Sequence, residues 1–77
     1  MPMPIRLARR LAGLVEDYGD EINVSQEELA VFVGTSRESV NRQLQRWKQK
    51  GLLELGRNRI RVVDRKGLMP LLEHEAA

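Results

Sequence analysis

The sequence predicts a mainly α-helical domain with a small β-hairpin, and three observations carry that expectation. Apolar residues recur at three- and four-residue spacing over most of the chain before Gly51, the period of one helix face. Serines and glycines punctuate that region where helices would start and stop. After Gly51 the pattern changes to alternation around Gly56-Arg57-Asn58, the period of two short strands joined by a turn. At 77 residues the chain has room for one domain, taken as 1–77, whose small core leaves it marginally stable.

The elements follow in order. From Ile5 to Tyr18, the residues Leu7, Ala8, Leu11, Ala12, Leu14, Val15 and Tyr18 share one face, and Gly19 and Asp20 end this first helix. Glu21-Ile22-Asn23-Val24 is long enough only for a connector or a brief strand, and is read as a strand. Ser25 precedes Glu28 by three residues, a capping box that opens a second helix with Leu29, Ala30, Phe32 and Val33 turned inward. Gly34 closes it, because glycine takes the left-handed conformation at low steric cost. Ser36 then caps a third helix, in which Val40, Leu44 and Trp47 fall at i, i+4 and i+7 before Gly51. A short helix, a glycine-containing turn and a longer amphipathic helix, over about 25–50, are the sequence form of a helix-turn-helix. Leu53 and Leu55, then Ile60 and Val62, supply the apolar positions of the hairpin, over about 52–63. Placed directly after a candidate recognition helix it is a wing, its tip carrying Arg57 and Arg59 toward a polyanion. The fold class is therefore a winged helix-turn-helix. Asp64 offers a cap for a last short helix through Leu72, a reading that Gly67 and Pro70 oppose, and 74–77 are expected to fray.

Net charge is only +2, but it is unevenly placed. Between Arg37 and Lys66 ten basic residues stand against three acids, a local net of +7, while the remainder sums to −5. A basic segment within a near-neutral domain is the pattern of a face that meets a polyanion. The lack of cysteine excludes disulfides and thiolate metal sites and points to a reducing, cytoplasmic setting. No stretch approaches the roughly 20 apolar residues that span a bilayer, and the opening lacks the apolar run of a signal peptide, so neither a membrane nor export is expected. One histidine, in the terminal segment, and no paired acids in an apolar setting leave no catalytic or metal-ligating constellation; the chain is read as a non-enzyme with no cofactor in this domain.

The third helix carries the candidate chemistry. With Val40, Leu44 and Trp47 buried and a turn of about 100° per residue, Glu38, Arg42, Gln45 and Gln49 point outward, flanked by Asn41 and Arg46. These are base-reading side chains: arginine donates two bonds to guanine, glutamine and asparagine pair with adenine, and glutamate accepts from the cytosine amino group. Glu38 fits base readout or, alternatively, the helix macrodipole. Arg37 lies about 60° from the apolar centre on an ideal wheel, but in the first turn it can reach past the helix end. Trp47 reads as core, and three aromatic residues in all do not suit binding of single strands by stacking. The competing reading is a winged-helix module that binds protein or RNA, which requires an exposed apolar stripe and tolerates loss of Arg37 and Arg42.

The run Ser25-Gln26-Glu27-Glu28-Leu29-Ala30, the run Val33-Gly34-Thr35-Ser36-Arg37-Glu38-Ser39-Val40-Asn41-Arg42, then Leu44 and Lys50-Gly51-Leu52-Leu53, resemble the cyclic-AMP receptor protein and fumarate-nitrate regulator (Crp/Fnr) family. The resemblance extends from the helix at Arg6 to the hairpin ending at Val63 and is most specific at Ser-Arg-Glu-Ser-Val-x-Arg. It implies a bacterial transcription regulator whose third helix lies in the major groove of double-stranded DNA. By the same resemblance Arg37, Glu38 and Arg42 contact bases, in a TGTGA-like half-site, and Ser36 and Ser39 contact phosphate or place the helix. It puts Gln26 near the backbone; Arg46, Arg57 and Arg59 join these as expected backbone contacts through their charge. Arginine before the glutamate is closer to the cyclic-AMP receptor branch than to the oxygen-sensing branch, and Asn41 departs from the small residue usual at its position. Members of the family carry an N-terminal effector-binding barrel and a long dimerisation helix, and they bind as homodimers that can touch RNA polymerase. The 77 residues include neither element, so the chain is read as an excised C-terminal domain, with a free-standing short form as the alternative.

Overall fold

The computed structural model of the protein describes residues 2–67. Three helices, α1 (Met3–Tyr18), α2 (Gln26–Val33) and α3 (Arg37–Gln49), pack with a three-stranded sheet of β1 (Glu21–Ile22), β2 (Leu53–Gly56) and β3 (Arg59–Val62). Helix α1 starts two residues before Ile5. Pro2 stands at its N-cap and Pro4 in its first turn, where the N–H that proline lacks would have no intrahelical partner anyway.

The strand expected at 21–24 is confined to Glu21 and Ile22, and it extends the hairpin into a sheet of order β1-β3-β2, antiparallel throughout. Its register sets Ile22 opposite Ile60, while Leu53 faces Val62 across the hairpin, so one face of the sheet is apolar. The other face carries Glu21, Arg61 and Glu54 side by side. The two-residue strand is held by long-range pairing, which a sequence pattern of four residues cannot display.

One core joins all six elements. Leu7, Ala8, Leu11, Leu14 and Val15 of α1 meet Ile22, Leu29, Ala30, Val33, Val40, Leu44, Trp47, Leu53, Ile60 and Val62, all buried. Among the described residues no polar or charged side chain is buried, so the core carries no unpaired polar cost. Trp47 is interior, as its spacing with Val40 and Leu44 requires.

Two apolar residues depart from expectation. Phe32 is exposed rather than turned inward. The buried face of α2 is centred between Leu29, Ala30 and Val33, and Phe32 lies roughly 100° from that centre. Tyr18 points in the buried direction of α1, but it is the last residue of the helix, beyond the turn that packs, and it too is exposed. Asp64 caps as expected: the Gly67 N–H donates to Asp64 Oδ1 at 3.1 Å, and 65–67 form a helical turn. The rest of the expected last helix, from Leu68 to Leu72, and the segment 74–77 lie outside the described residues. No helix among the described residues is long and apolar enough to cross a membrane.

Candidate nucleic-acid interface

The turn between α2 and α3 sets the site. Gly34, with φ 80° and ψ 41°, ends α2 in the left-handed conformation, and the N–H groups of Gly34 and Thr35 both donate to the Ala30 carbonyl at 2.9 Å. Each helix of the pair is then capped by its own serine. Ser25 Oγ accepts from the Glu28 N–H at 3.0 Å and donates to Glu28 Oε1 at 3.2 Å. Ser36 Oγ accepts from the Ser39 N–H at 3.1 Å and donates to Ser39 Oγ at 2.9 Å. Ser36 and Ser39 are thus occupied with each other at the start of α3, which fixes where the helix begins and so which residues share its outer face.

That outer face is polar over its whole length. Val40, Leu44 and Trp47 are buried, while Arg37, Glu38, Asn41, Arg42, Gln45, Arg46 and Gln49 are exposed. Glu38, Asn41, Arg42, Gln45, Arg46 and Gln49 together line a shallow concavity of about 460 Å³. The structure therefore brings Glu38, Arg42 and Arg46 together, while Arg37, exposed in the first turn of α3, is not among the residues that line the concavity. None of these four makes a salt bridge among the described residues. Their donors and acceptors are available to an incoming partner. Asn41, Gln45 and Gln49 complete the concavity; the helix wheel already placed them on or beside this face, but their neutral side chains carried no charge signal to single them out.

The hairpin supplies a second set of cations. Its two-residue tip, Arg57-Asn58, closes between paired Gly56 and Arg59, with Asn58 at φ 53°, a conformation asparagine tolerates better than most residues. Arg57 projects from the tip without an ion-pair partner among the described residues. Arg59 differs: its Nη1 donates to Glu21 Oε1 at 3.2 Å, a bridge between β3 and β1 that the sequence did not reveal. Arg61 is likewise paired with Glu54, at 3.3 Å. Both pairs are more than half exposed, and such pairs are worth about 0–1 kcal/mol, so either opens at small cost. Gln26, first residue of α2, is half-buried at the helix N-terminus.

The model of the Crp-like helix-turn-helix domain matches residues 5–71 of the sequence. The chain belongs to this family. Solved structures agree with that membership. The catabolite activator protein of Thermus thermophilus matches with a TM-score of 0.84 at 29% identity, over 94% of this chain and 34% of its own. A CRP/FNR-family transcriptional regulator of the same organism matches with a TM-score of 0.84 at 29% identity, over 95% of this chain and 41% of its own. The CO-dependent transcription factor CooA of Carboxydothermus hydrogenoformans shares the fold, with a TM-score of 0.81 at 24% identity over 90% of this chain and 36% of its own. The chain thus spans 34–41% of the length of these relatives. Comparison with curated protein sequences returns no match. Membership makes this chain a DNA-binding domain of the transcription-regulator type, with the winged helix-turn-helix fold read from its sequence.

Proposed function

We propose that the chain reads duplex DNA sequence-specifically, with α3 in the major groove, as the DNA-reading part of a bacterial Crp/Fnr-type regulator. The observation that carries this reading is the outer face of α3: a set of arginine, glutamate and carboxamide side chains, its arginines and glutamate free of salt bridges among the described residues, on a helix whose opposite face is locked in the core. A surface that only gripped phosphate would gain nothing from an acid in its first turn, whereas Glu38 between Arg37 and Arg42 suits the cytosine amino group next to guanines. Arg37, Glu38 and Arg42 are the base-contacting residues in this reading. Gln26, Ser36, Ser39, Arg46, Arg57 and Arg59 face the backbone, and Arg59 does so by exchanging Glu21 for phosphate. The target is a TGTGA-like half-site, bound in pairs by a homodimeric full-length regulator, whose effector and polymerase contacts lie with the rest of that protein.

The test is selection of bound sequences from a random duplex library, followed by affinity against salt for the winner and a scrambled control. A TGTGA-like consensus with a steep salt dependence is expected. Failure to enrich any sequence, together with binding indifferent to salt, would refute the reading and favour a protein-binding role.

A further inference from the structure

Helices α1 and α2 leave between them a groove that the DNA-reading face does not use. Arg6, Arg9, Arg10 and Gly13 of α1 and Phe32 and Val33 of α2 line it, and it holds about 470 Å³. It shares no residue with the concavity on α3. Three features set this face apart from ordinary solvated surface. Val31 and Phe32 are adjacent large apolar residues, 80% and 65% exposed, and the Arg10 guanidinium lies over one face of the Phe32 ring, 3.7 Å from its centroid. Arg6, Arg9 and Arg10 form no salt bridge among the described residues. Gly13 stands in the middle of α1, where glycine weakens a helix relative to alanine, yet a Cβ built there would meet nothing within 4 Å. Packing within the domain does not call for glycine here.

The adjoining face of α2 has the opposite charge. Glu27 and Glu28 precede Val31 and Phe32 by one turn and line a neighbouring depression with them. A basic flank and an acidic flank therefore meet along Phe32. A surface of that kind is complementary to itself: a two-fold rotation through Phe32 lays the arginines of one copy against the acids of the other and stacks the two apolar centres. We propose that this face is an isologous docking surface for a second copy of the chain. An acidic partner of another kind would satisfy the arginines but leave Glu27 and Glu28 opposite like charge; a second copy satisfies both flanks. The surface is small and rimmed by charge, so the dimer is weak and salt-sensitive, and it leaves the outer face of α3 open.

Sedimentation equilibrium of the chain, from about 10 µM to about 1 mM and at low and high salt, reads the association directly. Concentration-dependent dimers that weaken with salt are expected. Arg9→Glu alone and Glu27→Arg alone each weaken association about tenfold or more, because each sets like charges together. A one-to-one mixture of the two variants restores it, since both contacts of the mixed pair are then between opposite charges. Phe32→Ser abolishes the dimer without changing charge, and circular dichroism verifies that all three variants, altered at exposed positions, stay folded. A wild-type chain that is monomeric throughout, a dimer indifferent to these substitutions, or a mixture that stays dissociated would overturn the proposal.

Discussion

Replacing Arg42 by alanine separates base reading from charge attraction. Arg42 is exposed, makes no salt bridge among the described residues, and lies on a helix in which alanine is at least as favourable. Folding stability should therefore change by no more than about 0.5 kcal/mol, and any larger loss of DNA binding belongs to the interface. An arginine with two bonds to guanine contributes about 1–3 kcal/mol of discrimination, which corresponds to about a 5- to 150-fold rise in Kd for the preferred site. The assay is fluorescence anisotropy of wild type and variant against the selected duplex and against duplexes altered one base pair at a time. Wild type loses affinity at each altered position; the variant is expected to become indifferent at one of them and to keep its preferences elsewhere. A uniform loss on every duplex, with a salt slope shallower by about one, would place Arg42 on a phosphate instead. No loss on any duplex would remove Arg42 from the base-reading set.

Arg57→Ala at the wing tip is expected to weaken specific and scrambled DNA alike and to lower the salt slope by about one, checked by titration at several salt concentrations. Glu21→Gln frees Arg59 from its 3.2 Å partner and is expected to tighten binding to both DNAs; unchanged affinity would leave Arg59 out of the interface. Ser36→Ala removes the acceptor of the Ser39 N–H and is expected to cost about 1 kcal/mol, a fall in Tm of about 4–8 °C by circular dichroism. A loss of DNA affinity by that variant well below its Tm would add a phosphate contact to the capping role. Gly13→Ala adds a methyl group in open space and is expected to raise Tm by about 2–8 °C; a fall would mean that the position is strained in a way its surroundings do not explain.

The parts of the fold that were legible in sequence are those that local chemistry dictates. Ser25, Gly34 and Ser36 bounded the two helices of the motif because caps and the left-handed glycine act within a few residues, and Val40, Leu44 and Trp47 fixed the buried face of α3 by spacing alone. The outward position of Glu38, Arg42, Gln45 and Gln49 followed from the same geometry. What escaped depends on partners distant in sequence. The pairing of β1 with β3 and the Glu21–Arg59 bridge join residues 38 to 40 positions apart, and nothing local signals either. Phe32 misled for a different reason. Hydrophobicity marked it as core, but α2 has only eight residues, and burying Leu29, Ala30 and Val33 uses the face that α1 and α3 cover.

The arithmetic of recognition bears on how such a domain must act. Three base-contacting residues at about 1–3 kcal/mol per position give about 3–9 kcal/mol, while specific and non-specific binding typically differ by about 4–10 kcal/mol. A half-site of about five base pairs also recurs by chance roughly once per thousand, so one domain alone is a poor discriminator among competing sites. A second reading head, tethered to the first, multiplies selectivity without any new contact type. Paired winged-helix heads commonly read half-sites about 34–36 Å apart, one turn of the duplex. The domain measures 34 × 25 × 24 Å, so the spacing of two copies in direct contact depends on the axis along which they meet. A second head can be held by the α1–α2 face or by the long helix that the family resemblance implies. The sequences selected by these residues distinguish the two. Inverted half-sites one turn apart would mean that the second head is held by contacts within the domain itself, whereas a solitary half-site would assign pairing to the longer family architecture.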